Sequence, residues 1–278
     1  MKTGFFITAR LKSSRLKNKI LLDLNGETIL DHVIQRCKKV AGVDDVVLCT
    51  STNSQDSVLY DFALKHKIKF YAGSEVDVLK RLSDAAEYYH FDAFLSITAD
   101  NPLHSFHIAR LMLDSYKINP ADFIYTKGIP VGIAPYLLDA KAIKIAIEMK
   151  RNADTEIWGP FINRPDFFSV REFKVTNSSF DEKYRLTCDY PQDYQLIRNL
   201  TRLLLNSKYL TIHEIFETIS DNSYLWSYNN NVKQVQVNSD VLKKIEQVFN
   251  ENKTLGEKIA QKINKKLEPK FEQISVEL

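Results

Sequence analysis

Residues 4–9, Gly4-Phe5-Phe6-Ile7-Thr8-Ala9, run straight into Arg10-Leu11-Lys12-Ser13-Ser14-Arg15-Leu16-Lys17-Asn18-Lys19. The first six are apolar and rich in β-formers, which predicts a buried strand at the start of the chain. The next ten carry five cations and no acid. Outward from there, residues 28–40 place Ile29, Leu30, Val33, Ile34 and Cys37 at helical spacing, with Thr28 and Asp31 available to cap the start. Strands at 45–50, 69–72, 93–98 and 122–125 then alternate with helices at 54–66, 76–89 and 104–116. Such alternation predicts an α/β fold, a Rossmann-like, mostly parallel sheet with helices on both faces. Ligands in these sheets bind beyond the carboxyl ends of the strands. Arg10, Ser51 and Asp100 are therefore expected at one edge.

Residues 127–175 contain Gly128, Pro130, Gly132, Pro135, Gly159, Pro160 and Pro165 and read as loops and a substrate-covering hairpin. A short strand at 184–189 and a helix at 191–205 follow. Residues 241–267 repeat apolar side chains at Leu242, Ile245, Val248, Phe249, Leu255, Ile259 and Ile263, which predicts one or two amphipathic helices broken near 254–256. We divide the chain into a main domain at 1–235 and a C-terminal helical extension at 236–278.

The bulk numbers narrow the function. The 278 residues are 44% apolar and 26% charged, an ordinary globular composition, and the formal charge is +3. Near balance argues against a general nucleic-acid binder, which needs a concentrated basic face. Cys37, Cys49 and Cys188 are far apart and form no metal-ligand spacing, so reduced thiols in a cytoplasmic protein are expected. The apolar stretch before Arg10 is too short for a signal-peptide core, and no run of apolar residues is long enough to span a membrane.

Two features suit phosphate chemistry. A nucleoside triphosphate needs fixed cations and backbone N–H donors, and the 10–19 loop offers both. A solvated basic loop would look the same; the position directly after the first buried strand favours the binding reading. Asp100, in Ile97-Thr98-Ala99-Asp100-Asn101-Pro102-Leu103, ends an apolar strand. It reads as a hard-oxygen ligand for Mg²⁺ or, equally, as a turn or cap residue before Pro102. In Arg185-Leu186-Thr187-Cys188-Asp189-Tyr190-Pro191-Gln192-Asp193, Asp189 has the same two readings, whereas Asp193 fits the first turn of the following helix.

Four blocks taken in order resemble the cytidylyltransferase family, which includes the CMP-sugar synthetases for Kdo and sialic-type acids. Within it they are similar to the branch of spore coat polysaccharide biosynthesis protein F. The blocks are residues 7–36 (ITARLKSSRLKNKILLDLNGETILDHVIQR), Gly73-Ser74-Glu75-Val76-Asp77-Val78-Leu79-Lys80-Arg81, residues 97–103 and residues 185–193. The resemblance implies a GT-A-type nucleotidyltransferase domain, CTP as donor, a small-molecule sugar acceptor, Mg²⁺ and a homodimer. The product would serve surface polysaccharide or glycoconjugate synthesis. The resemblance puts Arg10, Ser14, Arg15 and Lys19 on phosphate-binding positions, and Asp77 and Arg81 near the nucleotide. It puts Asp100 and Asp189 on metal-binding positions; Thr50 and Ser51, after the second strand, would line the base pocket. Arg10, Arg15, Lys19, Asp100 and Asp189 form the implied catalytic set.

There are departures. Lys12, Lys17 and Asn18 stand where many relatives have glycine and proline. Pro130-Val131-Gly132-Ile133-Ala134-Pro135 has no acid, and Asp154-Thr155-Glu156-Ile157-Trp158-Gly159-Pro160 lacks a histidine after the glutamate. The family's tendency to dimerise points to the C-terminal helices as a dimer contact, against packing on the chain's own core. Two other functions share this sheet: a glycosyltransferase, which typically holds metal through a D-x-D pair absent at Asp100-Asn101-Pro102, and a non-catalytic nucleotide-binding partner protein.

Overall fold

The computed structural model describes residues 1–150, 157–176, 182–205, 207, 210–235 and 237–278. The opening run forms β1 (Thr3–Thr8), buried from Thr3 to Ile7. Phe5 and Ile7 enter the core on one face of the sheet and Phe6 the core on the other. Phe6 stacks on Phe94 with ring centroids 4.3 Å apart. A strand covered on both faces needs no polar alternation, so it appears in the sequence as an unbroken apolar run.

After β1 come a small hairpin, β2 (Asp23–Leu24) and β3 (Glu27–Thr28), then α1 (Ile29–Lys38), β4 (Asp45–Ser51), α2 (Leu59–His66) and β5 (Lys69–Gly73). The chain continues through α3 (Val78–Tyr89), β6 (Ala93–Thr98), α4 (Phe106–Ile118), β7 (Phe123–Lys127), β8 (Tyr136–Asp139), α5 (Ala140–Lys150) and α6 (Gly159–Ile162). It ends with β9 (Ser169–Val175), α7 (Pro191–Leu203), α8 (Ile212–Asp221), α9 (Ser239–Glu251), α10 (Lys253–Lys262) and β10 (Lys270–Val276). The large sheet runs β10-β9-β7-β8-β6-β1-β4-β5. Only β8 is antiparallel to its neighbours. Side chains of α1, α4, α7 and α8 fill the core on one face; those of α3, α5, α9 and α10 fill the other. The chain moves from β1 outward to β4 and β5, then returns to the other side of β1 as β6. That reversal opens a crevice at the carboxyl ends of β1 and β6.

The local signals hold where they were strongest. Thr28 and Asp31 cap α1 reciprocally: Thr28 Oγ1 accepts from the Asp31 N–H, and Asp31 accepts from the Thr28 N–H. The middle of the chain differs from the expectation of loops, since β8, α5 and β9 occupy much of it. The glycines and prolines punctuate only the turn between β7 and β8 and the approach to β9. The strand expected at 184–189 does not form either. Its contact is a single bridge from Arg185 to Val131, and its later N–H groups turn to the Asp100 carbonyl and the Asp193 carboxylate.

The C-terminal segment holds the two expected helices and an unexpected strand, β10, parallel to β9. Asn252, and not Gly256, separates the helices. Gly256 lies inside α10, where a Cβ would fall 2.3 Å from Met149 Sδ and 2.9 Å from the Phe167 ring. The apolar face assigned to a dimer contact is turned to the chain's own core. Ile245, Phe249 and Ala260 are buried there, and Phe249 meets Phe167 edge-on at 5.5 Å. Phe249→Ala is expected to cost about 3–5 kcal/mol in urea unfolding, independent of protein concentration. A loss that vanished on dilution would place Phe249 at a subunit interface instead.

Candidate active site

The loop after β1 is fastened at both ends. Ala9 N–H donates to the Cys49 carbonyl at 3.0 Å, and Leu11 N–H donates to Asp56 Oδ1 at 2.7 Å. Asp56 is itself held by Ser51, whose hydroxyl donates to Oδ2 at 2.5 Å. At the far end Asn18 takes a left-handed conformation (φ 49°), which asparagine tolerates better than most residues. It starts the turn Lys19–Leu21, and buried Ile20 pins that turn to the core. Lys19 is thereby aimed back across the crevice.

Two acids receive it. Lys19 Nζ is hydrogen-bonded to Asp100 Oδ2 and lies 2.7 Å from Asp189 Oδ1. Arg15 Nη2 adds a contact to Asp189 Oδ1 at 3.0 Å, with its guanidinium 4.9 Å from the centre of the Tyr190 ring. Asp100 follows β6, whose end is tied to β1 by Ala99 N–H donating to the Thr8 carbonyl at 2.9 Å. Its Oδ1 accepts from the Thr98 hydroxyl at 2.5 Å. Asp189 is brought alongside because Cys188 N–H donates to the Asp100 carbonyl at 2.8 Å. Gly132 makes room for this segment at φ 100°: a Cβ there would sit 2.6 Å from Leu186 backbone atoms.

Behind Asp189 stands a buried scaffold. Arg185 Nη2 donates to Asp189 Oδ2 at 2.5 Å, and its Nε to Asp193 at 3.1 Å. Asp193 is fully buried and accepts from the N–H groups of Asp189 and Tyr190, capping α7 as its position suggested. Burial pushes the Asp189 carboxyl up, but Lys19, Arg15 and Arg185 outweigh it and hold the group below its usual range. Burial likewise works against the Lys19 ammonium, and Asp100 and Asp189 reverse this and raise it.

Arg10, Ser14, Arg15, Lys19, Arg81, Asp100 and Asp189 all line one open cavity of about 1210 Å³. Arg81 is almost wholly buried, donates to the Ser74 carbonyl at 2.9 Å, and keeps Nε without a hydrogen-bond partner among the described residues. Three expected residues do not line the cavity. Thr50 and Ser51 are buried beneath the loop, Ser51 bonding Asp56; ending a strand at the right edge does not make a side chain face the ligand. Asp77 caps α3 through Lys80 N–H at 2.8 Å and pairs with buried Lys150. His104 is fully buried beside Phe5, and burial pushes its pKa down to about 3. The cavity also has a wall that the sequence does not announce, formed by Phe123, Tyr125, Tyr136 and Trp158, and Arg164 lines the same cavity. These residues come from β7, β8 and the start of α6, so no local spacing announces them. Of the stretch noted for its missing histidine, Asp154, Thr155 and Glu156 lie outside the described residues.

Residues 5–219 match the profile of the cytidylyltransferase family. The chain belongs to that family. It is a nucleotidyltransferase, which sets aside both the glycosyltransferase and the non-catalytic alternatives. An uncharacterized protein of Methanocaldococcus jannaschii is 30% identical over 238 residues, 84% of this chain and 97% of its own. The spore coat polysaccharide biosynthesis protein SpsF of Bacillus subtilis is 27% identical over 206 residues, 70% of this chain and 85% of that protein. A solved structure of a cytidylyltransferase from Leptospira borgpetersenii superposes with a TM-score of 0.73 at 26% identity, covering 85% of this chain and 100% of the other.

No cluster of three or more His, Cys, Asp or Glu able to hold a metal exists among the described residues. The Asp100–Asp189 pair is still a suitable donor set for Mg²⁺, which is often bound by one or two carboxylates plus phosphate and water oxygens. Lys19 demonstrates that both carboxylates reach one cation.

The stabilisation Asp189 draws from its cations is complete above the unfolded carboxyl value of about 3.9 and is lost as pH falls through the depressed folded value. That drawn by Lys19 is complete below about 10.4 and is lost as pH rises through the raised folded value. Both are whole at neutral pH. Lys19→Met should therefore cost about 2–3 kcal/mol at pH 7, with the gap from the unsubstituted protein narrowing below pH 4. Urea titrations at pH 7 and pH 3 measure this, and an equal gap at both would exclude the carboxylates as the partners that matter.

Proposed function

We propose that this enzyme transfers CMP from CTP to a sugar acceptor, a sugar acid or a sugar or polyol phosphate, releasing pyrophosphate for polysaccharide or glycoconjugate synthesis. The observation that carries the reading is the convergence of Asp100 and Asp189 on one cation position, beside a loop whose cations face the same cavity. Family membership and the likeness to a spore coat polysaccharide protein support CTP and a polysaccharide-related sugar.

In this reading Arg10, Arg15 and Lys19, with the Ser14 hydroxyl, bind the triphosphate. An acceptor oxygen attacks the α-phosphorus in line with the departing pyrophosphate. Positioning and charge neutralisation do most of the work, as in other phosphoryl and nucleotidyl transfers. Mg²⁺ held by Asp100 and Asp189 would supply Lewis-acid charge at the α-phosphate. Lys19, no longer needed between the carboxylates, would turn its ammonium to a phosphate oxygen. Arg185 and Asp193 keep Asp189 in place throughout. The proposal includes a cytoplasmic location and a homodimer formed through surfaces other than the apolar face of α9 and α10. No helix among the described residues is long and apolar enough to cross a membrane.

A pyrophosphate-release screen of CTP, UTP, ATP and GTP against Kdo, other acidic sugars and sugar phosphates tests the reading. CTP with at least one acceptor is expected to react in the presence of Mg²⁺, and Asp100→Ala or Asp189→Ala to lower turnover by about 100-fold or more. Near-normal turnover in either variant would remove the metal assignment, and a preference for another nucleotide would remove CTP.

A further inference from the structure

The match to the family ends at residue 219, but the cavity is built further along the chain. Gln234, Val237, Leu242 and Glu246 all line it. The segment reaches the cavity at two places. Gln234 accepts a hydrogen bond from Arg185, the residue that holds Asp189. Glu246, on α9, pairs with Arg164 beside the aromatic wall.

Arg164 is held from three directions. Its Nε donates to the Pro160 carbonyl at 2.8 Å, its guanidinium lies 4.6 Å from the centre of the buried Phe249 ring, and its Nη1 is bonded to Glu246. None of these contacts uses Nη2, and the side chain lines the cavity. A guanidinium is a planar fork, so fixing three sides of it also fixes where the remaining N–H groups can bind. The platform beneath is firm. Phe249 is fully buried, and after α10 Lys265 Nζ bonds Asp122 at 2.5 Å and Asp139 at 3.1 Å, locking the tail to the strands that carry the aromatic wall.

We propose that the segment beyond residue 219 completes the acceptor side of the active site, with Leu242 forming part of its wall and Glu246 acting as a positioning residue for Arg164, which contacts the acceptor. The proposal rests on the cytidylyltransferase reading above but concerns residues outside the family match.

Two measurements on the full chain test it. The native cysteines are all buried, so Leu242→Cys places one reactive thiol at the cavity. With CTP and Mg²⁺ present, at least one sugar of the panel should slow maleimide labelling of Cys at position 242 about fivefold or more. No slowing by any compound would overturn the wall, and this readout needs no turnover, so it is independent of whether the release screen succeeds. With the acceptor found in that screen, Glu246→Ala should raise the KM for acceptor about tenfold and leave the KM for CTP within twofold, and Glu246→Gln should recover most of the loss. Equal changes in both KM values, or none, would overturn the positioning role.

Discussion

One ammonium shared by two carboxylates sets the geometry of this site. Asp100 and Asp189 come from chain segments that approach only in the folded protein, and both are mostly shielded from water. Two unit charges roughly 5 Å apart, at an effective permittivity of roughly 20, repel by about 3 kcal/mol. Lys19 converts that repulsion into attraction. To do so it must sit at one defined place, and the left-handed Asn18 and buried Ile20 put it there. The fold of the basic loop and the spacing of the acids are therefore one electrostatic problem with one solution. A divalent cation would solve the same problem, which is why a lysine bridge and a metal site can use the same pair of carboxylates.

The polar groups behind this centre have a different task. Arg185 and Asp193 are buried and satisfied by each other, by backbone N–H groups and by Asn229, whose amide donates to Asp193 at 2.9 Å. Leaving either unpaired would cost more than the pair contributes, so they fix conformation more than they add stability. The same logic explains Ser51 and Asp56, which hold the Leu11 N–H and so the start of the loop. Ser51, read as a nucleotide contact from its place at a strand end, thus serves the loop from beneath.

What was legible in the sequence was local. β1 and β6 are apolar runs, α1 carries its capping pair and heptad-like stripe, and the basic loop follows a strand directly. Of the features that depend on a long-range partner, the Lys19, Asp100 and Asp189 cluster was legible through the resemblance of whole blocks; the others were not. Asp77 looked like a nucleotide residue, but it caps α3 and meets Lys150, whose distance in sequence hides the pairing. Glycines and prolines nearby mask α5 in the sequence, although its own residues bury a helical stripe of Ala142, Ile143, Ile145, Ala146 and Met149. β10 is hard to see in the sequence because an edge strand keeps polar side chains; its alternation of exposed and half-buried residues marks it. The Arg164–Glu246 pair joins positions far apart in sequence and had no spacing to betray it.

The unusual charge of the loop can be judged by counting what the cavity offers a nucleotide. Lys12 is drawn aside by Glu75 at 3.2 Å, and Arg164 is matched by Glu246. Among the described residues, the other charged side chains lining the cavity are Arg10, Arg15, Lys19 and Arg81, four cations, and Asp100 and Asp189, two acids, for a net of +2. A nucleoside triphosphate carries roughly four negative charges. Bound alone it would leave about two charges uncompensated in a half-buried site, and Lys19 and Arg15 would remain shared with the acids. Mg²⁺ at the proposed site would bring the sum to zero, and with Asp100 and Asp189 holding it Lys19 and Arg15 would be available to the phosphates. The extra lysine at position 12 does not alter this balance, because Glu75 absorbs it; the loop's effective charge is lower than its composition suggests, and the proposed site depends on the placement of Lys19.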